Sequence, residues 1–413
     1  MQSSKKGFFA RYRDLSPNVL AISLVSLLND TSSEIIYPLL PAFLAITLGA
    51  TPFVIGLIEG FAETASSLLK LFSGYLSDKF GRRKLLVFSG YTLSSLMRPL
   101  LAFASSWPQV LALRVTDRTG KGIRGAPRDA LIADSVAPEK RGLAFGFHRA
   151  ADHFGAVIGP ILASLLLYLW AENPAEPTAN DYSRLFLFAS VPAVLGLFVL
   201  AFAVKEEEHL GGEDENITPI RLSLNAFDGN FKRFLFVIAL FTLSNSTDAF
   251  LLLRAEQSGV PTYALPLLWV FLHISKVVFS LVGGDLSDRI GRKKMIFAGW
   301  AVYALVYLGF AFVGEAWQAW GLFFIYGAYF GLTEGVEKAL VADLVEPEKR
   351  GTAYGFYNLA FGITVFPASL IFGALWTRFN AETAFLTSAL ISLCAAALLM
   401  TVRSRKPGSE QAI

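Results

Sequence analysis

Gly74-Tyr75-Leu76-Ser77-Asp78-Lys79-Phe80-Gly81-Arg82-Arg83-Lys84 recurs later in the chain as Gly284-Asp285-Leu286-Ser287-Asp288-Arg289-Ile290-Gly291-Arg292-Lys293-Lys294. Both copies are short, charged and punctuated by glycine, and each separates two long apolar runs. A charged loop repeated in this way predicts two homologous halves in tandem. Other segments repeat in the same order. Ala130-Leu131-Ile132-Ala133-Asp134, ahead of Pro138-Glu139-Lys140-Arg141-Gly142, returns as Ala339-Leu340-Val341-Ala342-Asp343 ahead of Pro347-Glu348-Lys349-Arg350-Gly351. Gly146-Phe147 likewise returns as Gly355-Phe356.

The apolar runs set the fold class. Of 413 residues, 54% are hydrophobic and 17% charged, whereas soluble domains carry about 45–50% and about 25%. Leu185 to Val204, Met295 to Gly314 and Ala384 to Val402 contain no Asp, Glu, Lys or Arg. Each is close to the ~20 residues a helix needs to cross the hydrocarbon core. The pattern predicts an all-α membrane protein with twelve transmembrane helices. Residues 17–204 form a first six-helix bundle and 231–402 a second, joined by a hydrophilic linker over 205–230. The seventh span is expected as one helix over Phe231–Leu253. Basic residues in 1–16 and 403–413 place both termini in the cytoplasm by the positive-inside bias, and the membrane expected is the plasma (bacterial inner) membrane.

Several function classes drop out. The net charge of +3 does not signal nucleic acid, because Lys and Arg gather at the ends of apolar runs. Cys394 is the single cysteine, which excludes an internal disulfide and a cysteine metal cage. Gly120-Lys121-Gly122-Ile123-Arg124-Gly125 spells a dinucleotide fingerprint but follows no strand. No Walker loop and no hydrolase motif is present, so neither an enzyme nor a cofactor is expected.

Charges within the spans are the candidate functional residues, because each costs ~2.5–3.5 kcal/mol at bilayer depth and must face a cavity or a partner. The fourth span carries Arg114, Asp117, Arg118, Lys121, Arg124, Arg128 and Asp129, all within an arc of roughly 140° at helical spacing. A salt-bridge ladder and a functional polar stripe are both open readings of that face. Asn29, Asp30, Glu34 and Tyr37 lie near one face of the first span, Glu59 and Glu63 on the second, Arg98 on the third, and Asp152 and His153 on the fifth. The second half is sparser, with Asp248 and Glu334 as its candidates. Cations and carboxylates nearly balance in the first half, so composition alone does not make its cavity basic.

The paired Gly-x-Leu-Ser-Asp-x-x-Gly-Arg loops resemble the signature loop of the major facilitator superfamily, and the Pro-Glu-Lys-Arg loops its companion motif. The resemblance implies two six-helix bundles around a cavity opening alternately to either side. It assigns Gly74, Asp78, Gly81, Arg82, Gly284, Asp288, Gly291 and Arg292 to gating, with Glu139, Arg141, Glu348 and Arg350 opposite them. Arg82 and Arg292 are expected to pair with Glu139 and Glu348. Arg118-Thr119-Gly120-Lys121-Gly122 is similar to the helix 4 motif of proton-driven members, with Lys121 where Gln is usual. Gly146, Gly155, Gly159 and Pro160 match the spacing of the exporter-associated helix 5 motif, with Ala163 in place of its final Gly. The function expected is a drug:proton antiporter-like exporter of a small organic molecule, acting as a monomer. A symporter or uniporter for a metabolite or organic anion is the alternative, with a metal ion as a further one.

Overall fold

The computed structural model describes residues 15–80, 82–137, 140–206, 224–346 and 349–403, and the regular structure among them is helical. The first half contributes α1 (Pro17–Ile36), α2 (Pro52–Phe80), α3 (Arg83–Leu101), α4 (Trp107–Asp134), α5 (Arg141–Trp170) and α6 (Ala179–Phe202). The second contributes α7a (Gly229–Ser244), α7b (Ala249–Gln257), α8 (Leu265–Ile290), α9 (Arg292–Phe312), α10 (Ala316–Leu344), α11 (Arg350–Arg378) and α12 (Ala381–Leu399). Among the described residues, 9 segments are long and apolar enough to cross a membrane on composition alone. The remaining spans are α3, α4 and α10, which carry Arg98, the α4 charges, and Glu334, Glu337 and Lys338. Phe72, Phe202, Leu305 and Phe312 are exposed on the helices, as lipid-facing side chains should be.

Local chemistry sets several ends. Ser16 caps α1 by accepting from Val19 N at 3.2 Å, with Pro17 in the first turn, where its missing N–H costs nothing. Past Ile36 the chain stays helical but changes pitch, through a 3-10 turn at Tyr37–Leu39 and a π turn at Phe43–Thr47. Pro38 and Pro41 remove the backbone donors that would keep it α. Thr178 and Asp181 form a reciprocal capping box at the start of α6.

The seventh span departs from the continuous helix expected. It breaks between α7a and α7b at Asn245-Ser246-Thr247-Asp248, where Asn245 takes φ −90° and ψ 79°. Four successive residues there carry side chains that compete for backbone hydrogen bonds. Neighbouring helices supply replacements. The Tyr303 hydroxyl donates to the Ser244 carbonyl at 2.7 Å, Asn245 Nδ2 donates to the Tyr329 hydroxyl at 3.2 Å, and the Tyr326 hydroxyl donates to Asp248 Oδ1 at 2.7 Å.

The chain divides into one compact unit of residues 1–43 and 65–219 and another of 44–64 and 220–413. In the first, α1 packs on α5 and α6, and α3 on α4 and α6. In the second, α7a packs on α11 and α12, and α9 on α10 and α12. Equivalent helices meet in equivalent pairs, as a duplicated unit requires. The early turns of α2 belong to the second unit. There Thr64 donates to the Gly362 carbonyl at 2.9 Å, and the Phe61 and Phe366 rings meet edge-on with centroids 5.4 Å apart.

The repeated loop turns at Gly291, which closes α8 with φ +94°, in the left-handed region that side chains resist. Gly291→Ala is expected to cost about 1–2 kcal/mol, seen as a lower thermal midpoint. An unchanged midpoint would mean that the turn relaxes freely. Gly81 lies outside the described residues.

Candidate substrate and coupling site

The first unit is assembled by glycine contacts that leave one face of α4 free for charge. A Cβ built on Gly120 would lie 2.5 Å from the Gly90 carbonyl oxygen, and one on Gly90 would lie 2.6 Å from the Gly120 carbonyl oxygen. On another side of α4, a Cβ on Gly122 would meet Leu69 Cβ and the Ser66 carbonyl oxygen, both at 2.8 Å. Ser73 donates to the Gly122 carbonyl at 2.9 Å. The glycines of the helix 4 motif are thus the places where α3 and α2 touch α4. Of its charged residues, Arg124 lies on the α3 seam itself, where a Cβ on Gly90 would meet Arg124 Cβ at 2.8 Å.

The α5 glycines do the same for α1. A Cβ on Gly155 would meet the Leu27 carbonyl oxygen at 2.5 Å and Asp30 Cβ at 3.1 Å. A Cβ on Gly159 would meet the Thr31 carbonyl oxygen at 2.5 Å and Glu34 Cβ at 3.0 Å. Both α1 carboxylates therefore root on the seam with α5. Pro160 continues that buried seam, whereas Gly146 has open space around it. Asp152 lies one turn before Gly155, and Asp30 feels its charge together with Lys121, Arg124 and Arg128 of α4. His148, buried at 2% exposure, approaches Asp152 with Nε2 to Oδ1 at 3.6 Å. His153 points outward and is exposed. Sequence reading singled out His153, and helical phase against Gly155 is the signal that separates it from His148.

The α4 cations find unequal partners. Arg114 Nη1 lies 3.5 Å from Asp117, and Arg128 Nη2 lies 3.0 Å from Asp129. Arg124 donates to Ser94 Oγ at 2.9 Å and lies 4.4 Å from the Tyr91 ring centroid. Arg114 and Arg118 lie 5.6 and 5.9 Å from the Tyr37 ring centroid, at a range where guanidinium and ring attract. Arg98 is 3% exposed and donates to Asn29 Oδ1 at 2.7 Å. Asn29 in turn donates to Asp30 Oδ1 at 3.1 Å. Lys121 is exposed on the polar face.

The second unit brings together a tyrosine cluster that sequence reading missed. Tyr303 and Tyr307 of α9 stack with centroids 4.1 Å apart, and Tyr326 and Tyr329 of α10 with centroids 5.7 Å apart. Spacings of four and three residues on long apolar helices were the available signal. The cluster meets Asp248 at the helix break. Lys276 Nζ sits 3.5 Å from the Phe330 ring centroid. Glu337 is buried and accepts from Trp300 Nε1 at 2.9 Å and the Tyr357 hydroxyl at 2.7 Å, whereas Glu334 is exposed beside Lys338 at 3.9 Å. Glu59 is buried and Glu63 half-buried on the part of α2 that belongs to this unit.

At the repeated loops, Arg83 pairs with Asp134, and Arg292 Nη1 pairs with Asp343 at 2.9 Å. The partners are the aspartates ending α4 and α10. In the first copy the pairing arginine is one residue further along, because α3 starts at Arg83 and α9 at Arg292. Arg82 is exposed, and Arg141 Nε donates to the Ala133 carbonyl at 3.3 Å. Arg350 is exposed at the start of α11, and a Cβ on Gly74 would meet Ala126 at 3.3 Å. Glu139 and Glu348 lie outside the described residues, as do the side chains of Asp78 and Asp288 and the surroundings of Gly284.

A sequence model of the Major Facilitator Superfamily matches residues 22–336 and 267–412. The chain belongs to this superfamily. An uncharacterized transporter of the family from Methanocaldococcus jannaschii is 36% identical over 396 residues, covering 94% of this chain and 96% of that one. The bacillibactin exporter of Bacillus subtilis is 26% identical over 417 residues, covering 95% and 98%. The crystal structure of the nucleoside transporter NupG superposes with a TM-score of 0.78 at 15% identity, covering 94% of this chain and 99% of that one. This superfamily member is a membrane-spanning transporter, not an enzyme, with twelve spans in the superfamily fold.

Proposed function

We propose that this transporter is a proton-coupled exporter that moves a small organic molecule out of the cytoplasm by alternating access. Both termini would then lie in the cytoplasm and the protein in the plasma membrane. The observation carrying the reading is the seam between α1 and α5. Gly155 and Gly159 let the two backbones touch where Asp30 and Glu34 are rooted, with Asp152 beside Asp30. A carboxylate flanked by another carboxylate and by Lys121, Arg124 and Arg128 can exchange a proton for an ion pair as its surroundings change. The helix 5 glycine spacing and the similarity to a protein named as an exporter support the outward direction. The gate residues and the Arg83–Asp134 and Arg292–Asp343 pairs belong to this reading as latches of the inner side.

Vesicles reconstituted with the protein and loaded with pyranine test it. With a panel of aromatic carboxylates, amines and neutral amides outside, a transported compound should move protons in the direction opposite to its own. Movement in the same direction would replace antiport with symport. No proton movement alongside measurable transport would remove the coupling.

A further inference from the structure

We infer that His148 passes protons between Asp152 and the end of α5 that begins at Arg141. The inference rests on the reading of the transporter as proton-coupled and adds a residue that the seam with α1 does not itself require.

Three buried polar atoms carry it. His148 is 2% exposed and Asp152 is 8% exposed. Among the described residues, His148 Nδ1, His148 Nε2 and Asp152 Oδ1 are buried without a hydrogen-bond partner. Nε2 and Oδ1 face each other at 3.6 Å, just beyond hydrogen-bond length. The other oxygen, Asp152 Oδ2, lies 3.9 Å from Arg149 Nη1. An imidazole buried with both nitrogens unused costs free energy that an apolar side chain would not.

The second half shows what a bonded group at this place looks like. Gly146-Phe147 returns as Gly355-Phe356, so His148 corresponds to Tyr357. The Tyr357 hydroxyl donates to Glu337 of α10 at 2.7 Å. By the repeat of Ala130 as Ala339, Glu337 corresponds to Arg128. Arg128 instead donates to Asp129 at 3.0 Å and to Ser26 Oγ at 3.3 Å. Both halves thus bury a polar side chain here, and in the first half it is left unbonded.

Position along α5 gives the order. Asp152 lies about one turn before Gly155, where a Cβ would meet Asp30 Cβ at 3.1 Å. His148 lies one turn before Asp152, toward the start of the helix at Arg141. The charged groups acting on the ring are Asp30 of α1, Arg128 and Asp129 of α4, and Arg149 and Asp152 of α5. An imidazole accepts at one nitrogen while it donates at the other. A proton leaving Asp152 Oδ1 is taken at Nε2, and the proton on Nδ1 is released toward Arg141, which restores the Asp152 carboxylate. The ring is then in its other tautomer, and a turn about its bond to Cβ resets it.

Pyranine-loaded vesicles test this with His148→Gln, whose amide keeps a polar group in place but cannot relay a proton. Substrate-driven proton movement should fall by about tenfold or more, the scale of a positioned acid–base group. Exchange of substrate for substrate should continue at the wild-type rate, with the thermal midpoint near that of wild type. His148→Asn, whose amide nitrogen takes the place of Nδ1, should separate the two rates in the same way. Equal loss of proton movement and exchange in both variants, or loss of folded protein in both, would make His148 structural and overturn the inference. Undiminished proton movement in His148→Gln would overturn it too, and would leave the coupling reading standing. Wild-type vesicles that move substrate without protons would remove both.

Discussion

Asp30→Asn is expected to reduce substrate-driven proton movement in pyranine-loaded vesicles to the level of vesicles without protein. Exchange of substrate for substrate across the same membrane should continue. The amide keeps the shape of the carboxylate and its acceptor oxygen toward Asn29 Nδ2, now 3.1 Å away, so the fold should persist. What it removes is the ability to take up and release a proton beside Asp152, Lys121, Arg124 and Arg128. The thermal midpoint of the variant serves as the control. Proton movement at the wild-type rate would take Asp30 out of the coupling role and pass it to Glu34 or Asp152.

Gly120→Val is expected to collapse the yield of monodisperse protein and lower the thermal midpoint of what remains. The new side chain would meet the Gly90 carbonyl oxygen at 2.5 Å and Ser94 Oγ at 2.6 Å. The first of these is helix backbone and cannot swing away. Overpacking typically costs 1–3 kcal/mol and sometimes more, against a total stability of about 5–15 kcal/mol. Damage should extend to the site, because α4 carries its cations and is positioned by this crossing. Gly321→Ala provides the contrast, since nothing lies within 4 Å of a Cβ there and it should be neutral or slightly stabilising. Size-exclusion profiles and melting curves of the two variants decide the matter. A wild-type profile for Gly120→Val would show that α3 and α4 can separate without loss.

Much of the architecture was legible because membrane insertion writes itself into composition. Runs without charge mark spans, and a loop quoted twice marks a duplication. The helix break at Asn245–Asp248 was less visible, because its residues also occur in polar helix faces. Its stability depends on Tyr303, Tyr326 and Tyr329, which come from distant parts of the chain. The choice between His148 and His153 had a similar cause. Both sit at the start of one helix, and only the helix packed against it decides which is buried.

The loop Gly74–Lys84 and its copy Gly284–Lys294 determined by themselves that the chain is two related halves of membrane helices. Hydropathy and short-range spacing suffice for that, since both are properties of contiguous residues. Only the tertiary structure decided which charges meet. Arg83 and Arg292 go to Asp134 and Asp343, and Arg128 goes to Asp129. The part of α2 that carries Glu59 and Glu63 groups with the second unit, and Arg98 donates to Asn29, which in turn donates to Asp30. An ion pair acts over a few ångströms, and which residues come that close depends on helix crossings set by Gly90, Gly120, Gly122, Gly155 and Gly159. Composition counts charges, whereas packing assigns them.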